Sequence, residues 1–266
     1  MKITVIGAGN MGGAIVRGLL KGSLFAAEDI SVSDVNRDVL NVLKKDIPRL
    51  NTELDSYNSV SDADIILLAV KPWLVNNVVD SIKFRMDYGR QILVSIAAGI
   101  DIASLSRFLK KHPGEDLIPA IFRVIPNTAI AIRKSVNLIA FENASDGQKD
   151  LLLRIFNELG TAILLDESKL AAGTALTSCG IAYLFRYVRA AVSAGVEMGF
   201  YPKEAQNMIV ETMLGAAELL KAGGENPETE IDKVTTPGGI TIRGLNELEA
   251  NGFSNAVIKG IKAGKF

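Results

Sequence analysis

The chain has 266 residues, with 29 basic and 30 acidic side chains, one His and one Cys. A net charge of −1 gives no electrostatic reason to expect nucleic acid or an anionic membrane as partner, and one Cys with one His makes neither a disulfide nor a structural zinc site. With 48% apolar and 22% charged residues the composition is that of a folded globular protein, and the length fits one large domain or two small ones.

Residues 1–6 start as an apolar run. Gly7, Gly9, Asn10, Gly12 and Gly13 break it too early for a signal peptide. Residues 3–6 read as a strand and 11–21 as a helix. A second strand follows at 30–33 and a helix at 38–45. Residues 64–70 form a continuous apolar run, as in a strand buried on both faces, and Pro72 suits the first turn of a helix. Further strands are expected at 91–95, 121–125, 136–141 and 161–165. This alternation predicts an α/β fold, a parallel sheet with helices on both faces.

After residue 165 the strand signal stops. Residues 169–199 are helical in pattern and apolar on several faces, through Leu176, Ile181, Leu184, Val188, Val192 and Val196. A helix apolar nearly all round must be buried, so it is expected to pack against a second subunit. Arg186, Arg189 and Glu197 interrupt it, and no segment approaches the ~18 apolar residues of a membrane span. The expected location is the cytoplasm. Pro202 opens another helix that stops at Gly223-Gly224. Asn226-Pro227 reads as the N-cap and first position of a short helix. A loop at 235–241 and helices at 241–250 and 253–263 complete the chain.

Gly7-Ala8-Gly9-Asn10-Met11-Gly12 is a G-x-G-x-x-G between strand and helix, with Asp34 ending the second strand. That context is what a dinucleotide fingerprint requires. Gly7 allows the tight turn, Gly9 lets backbone approach a pyrophosphate, and Gly12 allows close packing. The helix N-terminus adds free N–H groups and the positive dipole end. Asp34 would accept from a ribose 2′-OH, whereas Arg37 could bind a 2′-phosphate. The sequence leaves NADH and NADPH both open. Ala69-Val70-Lys71-Pro72 falls at the C-terminal end of a strand, where ligands of such sheets bind. Lys71 either meets an anion there or points to solvent.

Thr235-Thr236-Pro237-Gly238-Gly239-Ile240-Thr241 is the second chemical feature. Its glycines can expose consecutive N–H groups as an anion-binding nest, with the following helix end behind them. Such a loop suits a small carboxylate; the plainer reading is a helix connection with a capping Thr. His112, in a polar turn, reads as a surface residue, Cys179 as a buried core thiol and Trp73 as a packing residue. Arg186 and Arg189 suit ion pairing at an interface.

In their order, residues 6–12, Ala69-Val70-Lys71-Pro72, Arg123-Val124-Ile125-Pro126-Asn127-Thr128 and residues 234–242, followed by Gly244-Leu245 and Leu248-Glu249, resemble pyrroline-5-carboxylate reductase. The motifs cover most of the chain, and the last is the most specific. The resemblance implies an N-terminal Rossmann domain, residues 1–165, and a C-terminal helical domain, residues 166–266, that dimerises through interlocked helices and can build larger assemblies of dimers. It implies the last step of proline biosynthesis, reduction of the cyclic imino acid 1-pyrroline-5-carboxylate by NADPH or NADH. Carried over by position, Gly7, Ala8, Gly9, Asn10, Met11 and Gly12 would hold the pyrophosphate. Asn58 would lie near the adenosine ribose, Ala69 to Pro72 along the cofactor, and Asn127 at the nicotinamide side. Thr235, Thr236, Gly239, Ile240 and Thr241 would form the substrate loop, contributed by the partner subunit. There the backbone N–H groups of Gly239, Ile240 and Thr241 would hold the carboxylate, and Thr241 matches the Thr that hydrogen-bonds the imine nitrogen. The chain departs from the family's Ser-Gly-Ser-Gly-Pro-like run at Thr177-Ser178-Cys179-Gly180-Ile181, and from its usual Leu after Pro227.

An imine can bind protonated, so its reduction needs orientation more than a strong protein acid, and a Thr hydroxyl is suited to orientation first. A hydroxyacid dehydrogenase of the same plan would use a Lys within the first long helix of the second domain. Here only Lys169, at its start, precedes Lys203. A non-catalytic dinucleotide-binding regulator is the other reading, favoured only by the altered segment 177–181.

Overall fold

A computed structural model describes residues 1–114 and 116–265. The strands are β1 (Ile3–Ile6), β2 (Ile30–Ser33), β3 (Asn51–Glu53), β4 (Ile65–Leu68), β5 (Ile92–Ser95), β6 (Ala120–Ile125), β7 (Ser135–Glu142) and β8 (Gly160–Leu164). Among them run α1 (Asn10–Leu20), α2 (Arg37–Asp46), α3 (Ser56–Ser59), α4 (Val75–Ile82), α5 (Ile102–Leu109) and α6 (Asp146–Asn157). The sheet order is β3-β2-β1-β4-β5-β6-β7-β8.

Every strand pair is parallel except β6 with β7. The expectation of a parallel sheet therefore needs one correction. Residues 126–134, which join β6 to β7, hold only a 3-10 turn, Thr128–Ile132. That span is shorter than the roughly dozen residues a parallel crossover takes, so the chain reverses. Strand β3 was not foreseen: Asn51, Thr52 and Glu53 lack apolar periodicity, and an exposed edge strand needs none.

Alternation along the buried strands builds a core on each face. Val5, Leu67, Val94 and Phe122 pack with Ile15, Val16 and Leu19 of α1 on one side. Ile6, Ile66, Leu68, Leu93 and Ile121 pack with Val75, Val79 and Ile82 of α4 on the other. Both faces of the central strands are covered, which explains their unbroken apolar sequences.

The rest of the chain is helical: α7 (Leu170–Glu197), α8 (Pro202–Gly223), α9 (Pro227–Lys233), α10 (Ile240–Ala250) and α11 (Phe253–Ala263). By contacts the chain divides into Met1–Ser178 and Cys179–Phe266. In the second unit, α7 and α8 cross so closely that a Cβ on Gly195 would lie 2.8 Å from that of Ala205. Beyond residue 178 only Val192 and Ala205 are buried apolar residues among those described, while Leu184, Phe185, Tyr201, Leu214 and Ile258 are exposed. This unit has no enclosed core of its own, and exposed apolar surface of that extent marks an association surface.

Two readings of single residues change. Cys179, expected in the core, is half-buried, because the surface of α7 is not covered within the chain. Trp73, expected to pack, is 73% exposed; it sits on the 3-10 turn Pro72–Leu74, which carries no buried residue.

Candidate active site

Strands β1 and β4 are neighbours. The connection from β1 leads through α1 and that from β4 through α4, which pack on opposite faces of the sheet. A crevice opens at such a switch point, at the carboxyl ends of the strands. The Gly-rich turn follows β1 there, and Ala69 to Pro72 follow β4.

The three glycines differ physically. Gly7 has φ +105°, and a Cβ on it would lie 2.6 Å from the Ala69 carbonyl oxygen. Its N–H donates to the Ser33 carbonyl at 2.7 Å. A Cβ on Gly12 would stand 2.0 Å from the Gly7 carbonyl oxygen, whereas one on Gly9 would meet nothing within 4 Å. Gly7 and Gly12 thus shape the turn, and Gly9 faces open space. Gly9 is also the N-cap of α1, with no side-chain cap and no acidic residue in the first turn. The first N–H groups of α1, those of Asn10, Met11 and Gly12, lack intrahelical acceptors by the geometry of any helix start, and the positive helix end favours an anion. The residues present fit a dinucleotide pyrophosphate.

Around this turn the predicted residues fall as follows. Asp34, half-buried after β2, accepts from the Ala8 N–H through Oδ2 at 2.7 Å and from the Asn36 N–H through Oδ1 at 2.8 Å. Arg37 is exposed at the first position of α2. Asn58 lies exposed on the single turn α3. Ala69 donates its N–H to the Ile6 carbonyl at 2.7 Å, tying the two strand ends. Val70 lines a cavity of about 90 Å³ together with Gly7, Ser33, Asp34, Val35 and Ser56. Lys71 is exposed and N-caps the 3-10 turn that Pro72 opens.

Asn127 sits at the end of β6, only 5% exposed. Its Oδ1 accepts from the Ala129 N–H at 3.0 Å, and its Nδ2 donates to the Thr177 carbonyl at 3.3 Å. Beside it, Ser178 Oγ donates to the Pro126 carbonyl at 2.9 Å. These bonds fasten the end of β6 to the start of α7. The departure at residues 177–181 therefore keeps an anchoring hydroxyl and carbonyl.

In the helical unit, the loop before α10 is a tight turn. The Gly239 N–H donates to the Thr236 carbonyl at 2.9 Å, and Gly238 takes φ +69°, which suits Pro237 and Gly238 as the central pair of a type II turn. A Cβ on Gly239 would lie 2.6 Å from Thr236 Oγ1. The Gly239 N–H, expected among the anion donors, is engaged by the turn itself. The open donors begin at Ile240 and Thr241, since Gly239 is the N-cap and supplies no side-chain acceptor. Ile240 is 85% exposed, and Thr241 is exposed. Thr235 turns back, its Oγ1 within 3.2 Å of the Ile231 and Asp232 carbonyls. The sequence reading missed Arg243, whose Nη2 donates to the Gly238 carbonyl at 2.8 Å; an Arg one turn into the helix was the available signal. It also missed Ser33, the second of two serines that alternate with Ile30 and Val32 in β2.

His112 is exposed, with its ring 5.9 Å from that of Phe84. No cluster of metal-ligating side chains occurs among the described residues, and none of their helices is long and apolar enough to cross a membrane.

Two family models match the chain. One, described as pyrroline-5-carboxylate reductase dimerisation, covers residues 167–265, and the other, NADP oxidoreductase coenzyme F420-dependent, covers residues 2–99. Pyrroline-5-carboxylate reductase 1 of Dictyostelium discoideum is 37% identical over 97% of this chain, which spans 48% of that protein's length. The pyrroline-5-carboxylate reductase of Methanosarcina acetivorans is 32% identical over 99% of this chain and 97% of its own. The crystal structure of Plasmodium falciparum pyrroline carboxylate reductase with NADP bound superposes with a TM-score of 0.86 at 25% identity, over 99% of this chain and 95% of that one.

Proposed function

This chain belongs to the pyrroline-5-carboxylate reductase family, and from that premise we propose how its residues reduce 1-pyrroline-5-carboxylate to L-proline. The carrying observation is that one chain keeps both the Gly-rich turn at the switch point and the Thr–Gly loop before α10, at 32% identity to a reductase over 99% of its length. A reduced nicotinamide dinucleotide, bound at the Gly-rich turn, supplies the hydride for the carbon of the C=N bond. The N–H groups at the start of α1 face its pyrophosphate, with Gly9 leaving room for the approach. Asp34, Arg37 and Asn58 serve the adenosine end, and Ala69, Val70, Lys71 and Pro72 run beside the cofactor. Asn127 shapes the nicotinamide side by holding the end of β6 against α7.

The substrate carboxylate meets the N–H groups of Ile240 and Thr241 and the positive end of α10. Gly239 and Thr236 set the turn that aims them. The Thr241 hydroxyl orients the imine nitrogen, which carries the proton that completes the amine. Orientation of two reactants alone is worth ~7–11 kcal/mol of barrier, so this scheme needs no His.

Residues 166–266 form the dimerisation and substrate domain in this reading. Its exposed apolar helices interlock with those of a second copy, whose loop 235–241 completes the site, and such dimers can join into larger assemblies in the cytoplasm. The test is direct. Purified protein is mixed with pyrroline-5-carboxylate and NADPH or NADH, and both nicotinamide absorbance and proline are followed. Cofactor binding without proline formation would favour the non-catalytic regulator.

A further inference from the structure

Resting on the cofactor reading above, we infer that the adenosine end of this site selects against a 2′-phosphate, so the enzyme prefers NADH to NADPH, with Asp34 as the discriminating residue. The small cavity beside the Gly-rich turn is lined by one ionisable side chain among the described residues, Asp34. Each of its oxygens takes one backbone N–H, from Ala8 and Asn36. A carboxylate offers about four acceptor positions, so the group is fixed in place with acceptor capacity left over. Ser33, also in the lining, is 1% exposed, and its buried Oγ has no hydrogen-bond partner. Its register partner Glu53 has a buried Oε2 that is likewise unpartnered. Glu53 stands outside that lining and the Ser33 hydroxyl can donate as well as accept, so among the described residues the anionic acceptor of the lining is Asp34. A ribose diol brings two O–H donors to it. A 2′-phosphate brings only acceptors and about −1.5 to −2 charges.

The cations nearby do not redress that balance. Arg37 is exposed, and Asp38 follows it in the first turn of α2. Arg85 stacks on Tyr57 at 4.2 Å from the ring centroid. Against these two and the exposed Lys71 after β4 stand Asp34, Asp38, Glu53 and Asp55 in the segments that end β2 and β3. The N-terminus of α2 is also partly spent, because Asn36 Oδ1 accepts from the Asp38 N–H at 3.0 Å.

Calorimetric titration of the 266-residue chain with NADH and with NADPH, at low ionic strength, tests this without turnover. NADH should bind roughly tenfold or more tighter, since each tenfold is ~1.4 kcal/mol and one carboxylate–phosphate repulsion at a half-buried site reaches that size. Asp34→Ser should bring the two affinities within about threefold, by gaining NADPH and losing NADH. Asp34→Asn keeps an acceptor for Ala8 should the Ser variant fold poorly, and it should narrow the gap in the same direction. Equal or tighter NADPH binding, or a ratio unmoved in the folded variants, would overturn the selectivity while leaving the reductase standing. If neither dinucleotide binds, the cofactor reading itself falls.

Discussion

Gly9 and Gly12 belong to one six-residue pattern, yet alanine should affect them in opposite ways. In Gly12→Ala the new methyl would stand 2.0 Å from the Gly7 carbonyl oxygen, against the 3.4 Å where ordinary contact begins. Loop or helix must then move by more than an ångström. Neither yields easily, because Gly7 is held by its N–H bond to Ser33 and by a φ of +105°. Overpacking of this kind costs about 1–3 kcal/mol, and the rigid backbone obstacle places it at the upper end. Gly9 has φ −63° and ψ −168°, which any residue adopts, and its missing Cβ points into open space. Gly9→Ala should change stability by less than about 1 kcal/mol, the size of an N-cap effect. Its methyl would occupy the pyrophosphate's approach, so the NADH dissociation constant should rise about tenfold or more. Urea unfolding and calorimetric titration of both variants separate the effects. A Gly9→Ala protein that binds NADH as tightly as the parent, or a Gly12→Ala protein with unchanged stability, would refute the division of labour within the turn.

Thr241→Ala should lower kcat roughly tenfold or more, the scale of one lost transition-state contact, with an unchanged melting profile because the side chain is exposed; steady-state kinetics beside circular dichroism decides it. Arg243→Ala removes the guanidinium bond to the Gly238 carbonyl and should raise KM for pyrroline-5-carboxylate several-fold while kcat changes less. Phe185, 67% exposed on α7, should be needed for association, and sedimentation of Phe185→Asp should show dissociated protein. Glu167→Ala strips an acceptor from both Arg123 Nη1, at 2.9 Å, and the Ile102 N–H, at 2.8 Å. With the Arg123 side chain only 11% exposed, the loss should be about 1–3 kcal/mol in urea unfolding.

The sequence made the central sheet legible because its signals are local. Residues 64–70, a short apolar run that stops before Pro72, read as a doubly buried strand, and the Gly-rich turn announces itself by spacing. The reversal at β7 was hidden: parallel and antiparallel strands buried on both faces share one composition, and only the shortness of the link distinguishes them. Asn127 illustrates a second limit. Its residue type and motif suggested the cofactor side, but that its amide also bonds Thr177, besides the local cap on Ala129, depends on a contact fifty residues away in sequence. The Gly239 N–H shows the same thing at short range, since a turn and a nest can share one sequence while offering different donors. Trp73 and Cys179 were misplaced because apolarity reports a preference for burial without saying whether the covering surface lies in the same chain.

The bare helices beyond residue 178 carry a consequence for how the protein behaves in dilute solution. A segment in which, among the described residues, only Val192 and Ala205 are buried apolar side chains draws its stability from whatever it associates with, so folding and assembly become one equilibrium governed by mass action. Protein concentration then acts as a hidden ligand: below the dissociation constant of the assembly the helical third of the chain loosens, the loop before α10 loses its support, and specific activity falls with dilution although no residue has changed.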